Sequence, residues 1–273
     1  MTVLSLVTLL EEVFFLKISL LQLDIKDGQP HVNQANVQNL LQEALLEEPD
    51  VIVLPELWNS GYALDKLEKI ADEDGKVNCP WLSQFAEKHG VTLVAGSVAT
   101  KRKGQFYNTA YSFSSKGQLI NTYDKVHLFG LMAEDKFLTA GQRESHFQIG
   151  TVGASHVICY DIRFPEWIRH LMSQDAALLF VSAQWPSSRI EQWRILLQAR
   201  AIENQAFVIA VNRVGQGLKD QFNGHSLIID PLGKILLEAN DCEGVFSAQI
   251  DLNQVKKVRG QIPVFKDRRL ELY

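Results

Sequence analysis

Three side chains in this sequence have the types and settings for nucleophilic chemistry at a carbonyl: Cys159, Glu56 and Lys125. Cys159 ends the apolar run His156-Val157-Ile158-Cys159 and is followed by Tyr160-Asp161-Ile162-Arg163-Phe164-Pro165-Glu166. Pro165 suits the first turn of a helix. The cysteine therefore falls on a strand-to-helix bend, where outward-pointing backbone N–H groups can sit beside a nucleophile as oxyanion donors. A buried filler cysteine is the equal alternative, since most free cysteines are core residues. Glu56 follows a short β-branched strand and Pro55, a position from which a carboxylate can reach a crevice at the end of a sheet. Taken alone, the reading as a surface loop acid wins. Lys125 opens a long irregular segment, where a solvated lysine is the ordinary case. His127, two residues further on, is an alternative base for a cysteine. The seven histidines show no HExxH-type spacing, so neither a metal nor another cofactor is expected.

The elements that must position these residues alternate between strand and helix. Strands are expected over residues 17–24, 50–54, 91–98, 154–159, 177–182, 207–212 and 245–250. Hairpins are expected over 106–114 with 118–123, and over 225–230 with 234–238. Helical patterns cover 33–46, 81–89, 165–172 and 190–204, with Gly90 as the C-cap of the second. Residues 124–145 have no clean period and read as a long ordered loop, a common home for function. No repeat, low-complexity tract or Pro/Gly linker divides the chain, so one domain is expected. Several strands are apolar on one face only. That favours two packed sheets covered by helices over one doubly wound sheet.

Composition narrows the partners. The 273 residues carry a formal net charge of -5, and phosphate recognition needs a clustered basic surface. The run Lys101-Arg102-Lys103 before Gly104 reads as a solvated turn, and no nucleic-acid partner is expected. No apolar stretch approaches the ~20 residues of a membrane span. Three cysteines, Cys79, Cys159 and Cys242, form no disulfide framework and suit a reducing cytoplasm. Cys79 and Cys242 lie in polar, turn-like contexts and are read as non-catalytic. The N-terminal apolar residues lack the basic start and small-residue cleavage site of a secretory signal. Glu11-Glu12-Val13 can be encoded by a purine-rich ribosome-binding sequence, and Leu16 by a minor bacterial start codon. Residues 1–16 are therefore expected to lie outside the fold, with translation starting at residue 16 and residues 1–15 arising from a misplaced start.

In their order and contexts, VLPELWNSGY (53–62), YDKVHLFG (123–130) and CYDIRFPEW (159–167) resemble the nitrilase, or carbon–nitrogen hydrolase, superfamily. The resemblance covers residues 17 to about 273. It implies an α/β, four-layer αββα sandwich, a homodimer or larger homo-oligomer, and a Glu–Lys–Cys set that maps onto Glu56, Lys125 and Cys159. Ser182 to Arg189 (SAQWPSSR) and the run ARAIENQ (199–205) resemble the omega-amidase branch, whose substrates are 2-oxoglutaramate and 2-oxosuccinamate. A deaminated-glutathione amidase, which shares the cysteine segment but usually lacks the Trp-Pro segment, ranks second. Tyr160-Asp161 stands where nitrile hydrolysers usually carry Trp-Glu, which implies amides rather than nitriles. A catalytically silent binding module would need a broken triad, and all three residues are present.

On this resemblance Glu56 takes the thiol proton, and Lys125 with the backbone N–H of Tyr160 stabilises the oxyanion. Glu134 matches a second glutamate near the triad and would have a positioning role. Trp185 is a candidate wall of the substrate pocket, with core packing equally open. Arg163 and Arg189 could hold a substrate carboxylate; Arg163 could equally pair with Asp161 or Glu166. The polar tail from Gly260 is expected to pack on a partner subunit.

Overall fold

The computed structural model describes residues 14–272. In chain order the first half contains β1 (Phe15–Gln22), α1 (Pro30–Leu45), β2 (Val51–Val53), α2 (Leu67–Ile70), β3 (Asp72–Glu73), α3 (Asn78–His89), β4 (Thr92–Arg102), β5 (Gln105–Phe113), β6 (Leu119–Asp124) and α4 (Glu134–Phe137). The second half contains β7 (Phe147–Ile149), β8 (Val152–Ile158), α5 (Pro165–Met172), β9 (Ala176–Ser182), α6 (Ile190–Asn204), β10 (Phe207–Val211), β11 (Val214–Gln216), β12 (Gln221–Asn223), β13 (Leu227–Ile229), β14 (Ile235–Glu238), β15 (Gly244–Asp251) and α7 (Asn253–Gln261).

These strands build two sheets of like design. One runs β15-β1-β2-β4-β5-β6, with β3 also on β4; the other runs β14-β13-β10-β9-β8-β7. Each has a parallel centre, β1-β2-β4 or β8-β9-β10, flanked by antiparallel strands. The two-residue period of a strand sorts its side chains between layers. In β1 and β2, Ile18, Leu20, Val51 and Val53 face Phe180, Phe207 and Ile209 of the other sheet. Alternate residues Leu21, Ile52 and Leu93 pack under α1 and α3, against Val37, Leu41 and Leu82. On the far side Leu179, Val181 and Val208 meet Ile168, Trp193 and Leu197 of α5 and α6. Three apolar layers therefore separate four structural ones, and the expected αββα sandwich is the observed fold.

Differences from the sequence reading are local. β1 begins at Phe15 rather than Lys17, and Leu16 is buried between the sheets. The expectation about residues 1–16 otherwise lies outside the described residues. The 124–145 segment holds two single turns, Gly130–Met132 and α4. Strands β7, β11 and β12 were not anticipated, because runs of three residues carry no readable period. Nor was α7, whose Val255 and Val258 are buried while the rest of its face is polar. The tail folds in part on its own chain, with the Phe265 ring 4.9 Å from both the Arg169 and Arg259 guanidinium groups. No helix among the described residues is long and apolar enough to cross a membrane.

One irregularity bears directly on Glu56. The β4–β5 register shifts between Val94 and Ser97, and Gly96 there has φ +62°. The bulge lets the segment after β2 lie against β4. Ser97 N–H donates to the Pro55 carbonyl, Trp58 N–H to the Ser97 carbonyl, and Leu57 N–H to Ser97 Oγ at 2.9 Å. A Cβ at residue 96 would stand 2.1 Å from the Pro55 oxygen. Gly90 has a similar φ of +65° but open space around it. Gly96→Ala should therefore cost about 2 kcal/mol more than Gly90→Ala, lowering the thermal midpoint by roughly a further 4–8 °C. Equal midpoints for the two variants, measured by circular dichroism, would show that the close approach imposes no constraint.

Candidate active site

The ends of β2, β8 and β9 meet at one place, and the residues just beyond them form a dry polar cluster. Glu56, Lys125 and Glu134 are fully buried, and Cys159 is 4% exposed. Lys125 Nζ donates to Glu56 Oε1 at 2.8 Å and to Glu134 Oε1 at 2.7 Å. Tyr62 Oη donates to Glu134 Oε1 at 2.7 Å and lies 3.2 Å from Glu56 Oε1. Asn108 Nδ2 also donates to Glu56 Oε1, at 2.8 Å. The other oxygen, Glu56 Oε2, accepts from the Gln184 amide at 2.8 Å, which leaves it with spare acceptor capacity. Glu134 Oε2 accepts from the Phe129 amide. The Cys159 thiol lies 4.0 Å from the Gln184 carbonyl, so a single residue touches both the sulfur and the Glu56 carboxylate.

The charges set one another. Burial works to lower the Lys125 pKa, but Glu134 and Glu56 overcome it and hold the ammonium firmly protonated. Burial pushes the Glu134 carboxyl up, with Lys125 pulling it back and Glu56 adding to the rise. Burial, then Glu56, raises the Cys159 thiol well above its ordinary value, against the pull of Lys125. At rest the sulfur is therefore a protonated thiol that needs a base at the moment it reacts.

The bend after β8 is tight. Cys159 has φ +45°, a strained region for a residue with a side chain. It opens the single 3₁₀ turn Cys159–Arg163, whose first N–H groups have no acceptor within the turn. Asp161 ties this turn down. Its Oδ2 accepts from the Ile158 amide at 2.9 Å and from Tyr123 Oη at 2.8 Å. Its Oδ1 accepts from the His127 amide and lies 2.8 Å from His127 Nδ1. His127 also stacks on Phe164 at 3.7 Å. Its ring is occupied by Asp161, so the alternative that made His127 the base of a Cys–His pair is not what this geometry offers.

Around the sulfur lies a narrow cleft lined by Phe129, Tyr160, Arg163, Trp185 and Arg189, among others. Trp185 is at once wall and core: its Nε1 donates to the Arg189 carbonyl, and its ring packs 5.5 Å from Trp193. Arg163 forms neither proposed ion pair; it donates to Gln192 and lies 4.8 Å over the Trp185 ring. The Arg189 guanidinium sits 5.6 Å over Phe129. A larger cavity of about 280 Å³ does not reach Cys159, but shares Met132 and Gln184 with the cleft. Cys79 and Cys242 lie elsewhere. Burial pushes the Cys79 thiol up to about 12, and Cys242 is exposed.

The six residues singled out from the sequence are thus brought together. Sequence reading missed Tyr62, Asn108 and Gln184. Tyr62 and Gln184 lie inside segments already noted for their resemblance, which was a usable signal; Asn108 had none.

A buried Lys between two Glu beside a cysteine, at the ends of strands in an αββα sandwich, defines a class of hydrolase. Residues 17–260 match the carbon–nitrogen hydrolase family model, and the chain belongs to that family. It is 48% identical over 256 residues to a 2-oxoglutaramate amidase of Bacillus subtilis (strain 168), covering 94% of this chain and 98% of that one. It is 32% identical over 250 residues to the omega-amidase NIT2 of Danio rerio, covering 88% of this chain and 90% of that one. A solved CN-hydrolase superfamily protein from Xanthomonas campestris superposes with a TM-score of 0.87 at 31% identity, over 93% of this chain and 97% of that one.

Glu134→Gln removes one of the two negative charges facing Lys125 and Cys159. Less negative charge favours the thiolate, so alkylation of Cys159 by iodoacetamide should move to lower pH. Turnover should nonetheless fall about 10²-fold, because Lys125 loses one of its two anchors. An alkylation profile that stays in place or moves to higher pH would show that Glu134 does not act on the sulfur.

Proposed function

We propose that the protein is an omega-amidase, releasing ammonia from the terminal amide of a short substrate that bears a carboxylate at its other end. 2-Oxoglutaramate and 2-oxosuccinamate are the substrates in view. The observation that carries the mechanism is the ammonium of Lys125 held dry between Glu56 and Glu134 beside the Cys159 sulfur.

The steps follow from the charges. Glu56 accepts the thiol proton as sulfur adds to the amide carbon. Negative charge then develops on the carbonyl oxygen, and Lys125 with the Tyr160 amide answers it. One such donor is worth about 3–4 kcal/mol in the transition state. Glu56 returns its proton to the nitrogen, the C–N bond breaks, and ammonia leaves a thioester on Cys159. Water, deprotonated by Glu56, attacks the thioester carbon. The C–S bond breaks and the proton returns to sulfur. Lys125 stays charged throughout, because Glu134 opposes the cost of its burial at every step, joined by the Glu56 carboxylate or, while Glu56 holds a proton, by the oxyanion. Glu134 and Tyr62 position it.

Substrate choice lies in the cleft. Arg189 borders it and, among the described residues, has no carboxylate within ion-pair reach. A free substrate carboxylate fits there, with Arg163 and Trp185 as neighbouring walls. The working form is a homodimer or larger homo-oligomer, and the compartment is the cytoplasm, where three unpaired cysteines are stable.

The test is ammonia release from 2-oxoglutaramate, with deaminated glutathione, glutamine and a simple nitrile in parallel. Wild type should act on 2-oxoglutaramate, and Cys159→Ala should lose turnover while keeping its circular dichroism spectrum. Release from another amide alone would keep the mechanism and move the substrate assignment. No release from any of the four would favour a binding module.

A further inference from the structure

Behind the site a buried histidine plays no part in the chemistry described above. His156, in β8, is fully buried. Its Nε2 lies 2.9 Å from Ser182 Oγ, and that hydroxyl donates to the Leu54 carbonyl at 2.7 Å. A hydroxyl has one proton and a carbonyl can only accept, so Ser182 must accept from His156. This fixes the ring as the neutral tautomer with its proton on Nε2. Burial depresses the pKa to about 3, so the ring stays neutral wherever the protein works. Its Nδ1 has no partner among the described residues.

The bridge occupies a particular place in the fold. His156 stands three residues before Cys159, Ser182 two before Gln184, and Leu54 two before Glu56. Ser182 pairs in register with Ile158, whereas Leu54 belongs to the end of the opposite sheet. The hydrogen bonds therefore join the three strand ends that deliver the sulfur, the residue contacting both groups, and the carboxylate. An apolar side chain in this layer, among Ala154, Phe180 and Val94, would avoid leaving a buried nitrogen unsatisfied. Apolar packing between sheets is non-directional and permits small slips. A hydrogen bond fixes distance and angle.

We propose that the His156–Ser182–Leu54 bridge is a positioning device that sets the separation between Glu56 and Cys159. Gln184 holds Glu56 from the front, through its amide to Oε2 and its side-chain nitrogen to the Glu56 carbonyl at 2.8 Å. The bridge holds the same segment from behind. Only the turnover arm of the test rests on the amidase reading.

The test compares wild type with Ser182→Ala, His156→Leu and His156→Gln. Glutamine keeps an N–H donor near the position of Nε2. Three quantities are read: the thermal midpoint, the rate of Cys159 alkylation by iodoacetamide against pH, and kcat with KM. The charged and titratable groups acting on the sulfur are Glu56, Lys125 and Glu134, with Tyr62 bonded to the carboxylates. If Glu56 recedes, its influence on the thiol weakens and the alkylation profile moves to lower pH. The expected result for Ser182→Ala and His156→Leu is that shift, with kcat down about 10- to 100-fold and KM within about threefold. His156→Gln should recover most of both losses.

A lower midpoint with unchanged alkylation profile and unchanged kcat per folded molecule would overturn the proposal, leaving the bridge a structural filler. So would a folded His156→Gln variant that recovers neither the profile nor kcat. If wild type released no ammonia, the amidase reading would fail, and the alkylation arm would decide the bridge on its own: a shifted profile supports it and an unshifted one overturns it.

Discussion

Everything at the site depends on holding one ammonium ion in a place with no water. Lys125 is fully buried, and burial alone would strip its proton. Two carboxylates prevent this, and both are buried with it, so each needs the ammonium as its counter-charge. The cluster is therefore stable only as a set, in which Lys125 bridges Glu56 and Glu134, with Tyr62, Asn108 and two backbone amides donating to the same carboxylates. Much of the surrounding architecture can be read as a means of bringing these groups together. Glu56 comes from the end of β2, Lys125 from beyond β6, and Glu134 from the first turn of α4.

The same requirement explains the bend at Cys159. A sulfur at the end of an ordinary strand would continue along the sheet. The positive φ turns it out of the sheet direction, and Asp161 holds the turn with hydrogen bonds reaching back to Ile158 and across to Tyr123 and His127. The aromatic stack of His127 on Phe164 then covers the bend. The segment carrying Lys125 and the segment carrying Cys159 are thus fastened to each other by a carboxylate that has no part in the proposed chemistry.

How much of this could be read from the chain divides along the direction of contact. The strands delivering Glu56 and Cys159 were legible because short β-branched and apolar runs announce buried strands, and the three segments bearing Glu56, Lys125 and Cys159 sit at their ends. The two-sheet arrangement was legible because several strands are apolar on one face only, although the sorting of Ile18 and Leu20 against Leu21 between layers is seen only in the fold. Contacts made across the sandwich were not legible. Gln184 meets Glu56 over 128 positions, and Ser182 meets Leu54 over the same separation. Nothing in either segment states which residue of one sheet will lie over which residue of the other. His127 stays open in the sequence as the base of a Cys–His pair for the same reason: the group that occupies its ring, Asp161, lies 34 residues away.

The division of labour between the sheets carries a further consequence. The carboxylate hangs from one sheet and the sulfur from the other, and the largely apolar layer between them is crossed near the site by the few hydrogen bonds of Ser182 and Gln184. A displacement of about 1 Å along that layer would leave every strand, helix and ladder intact while separating the groups that must exchange a proton. The molecule is therefore built so that competence can be lost as a whole before any element melts: heat or mild denaturant would first produce a population that is spectroscopically native and chemically inert.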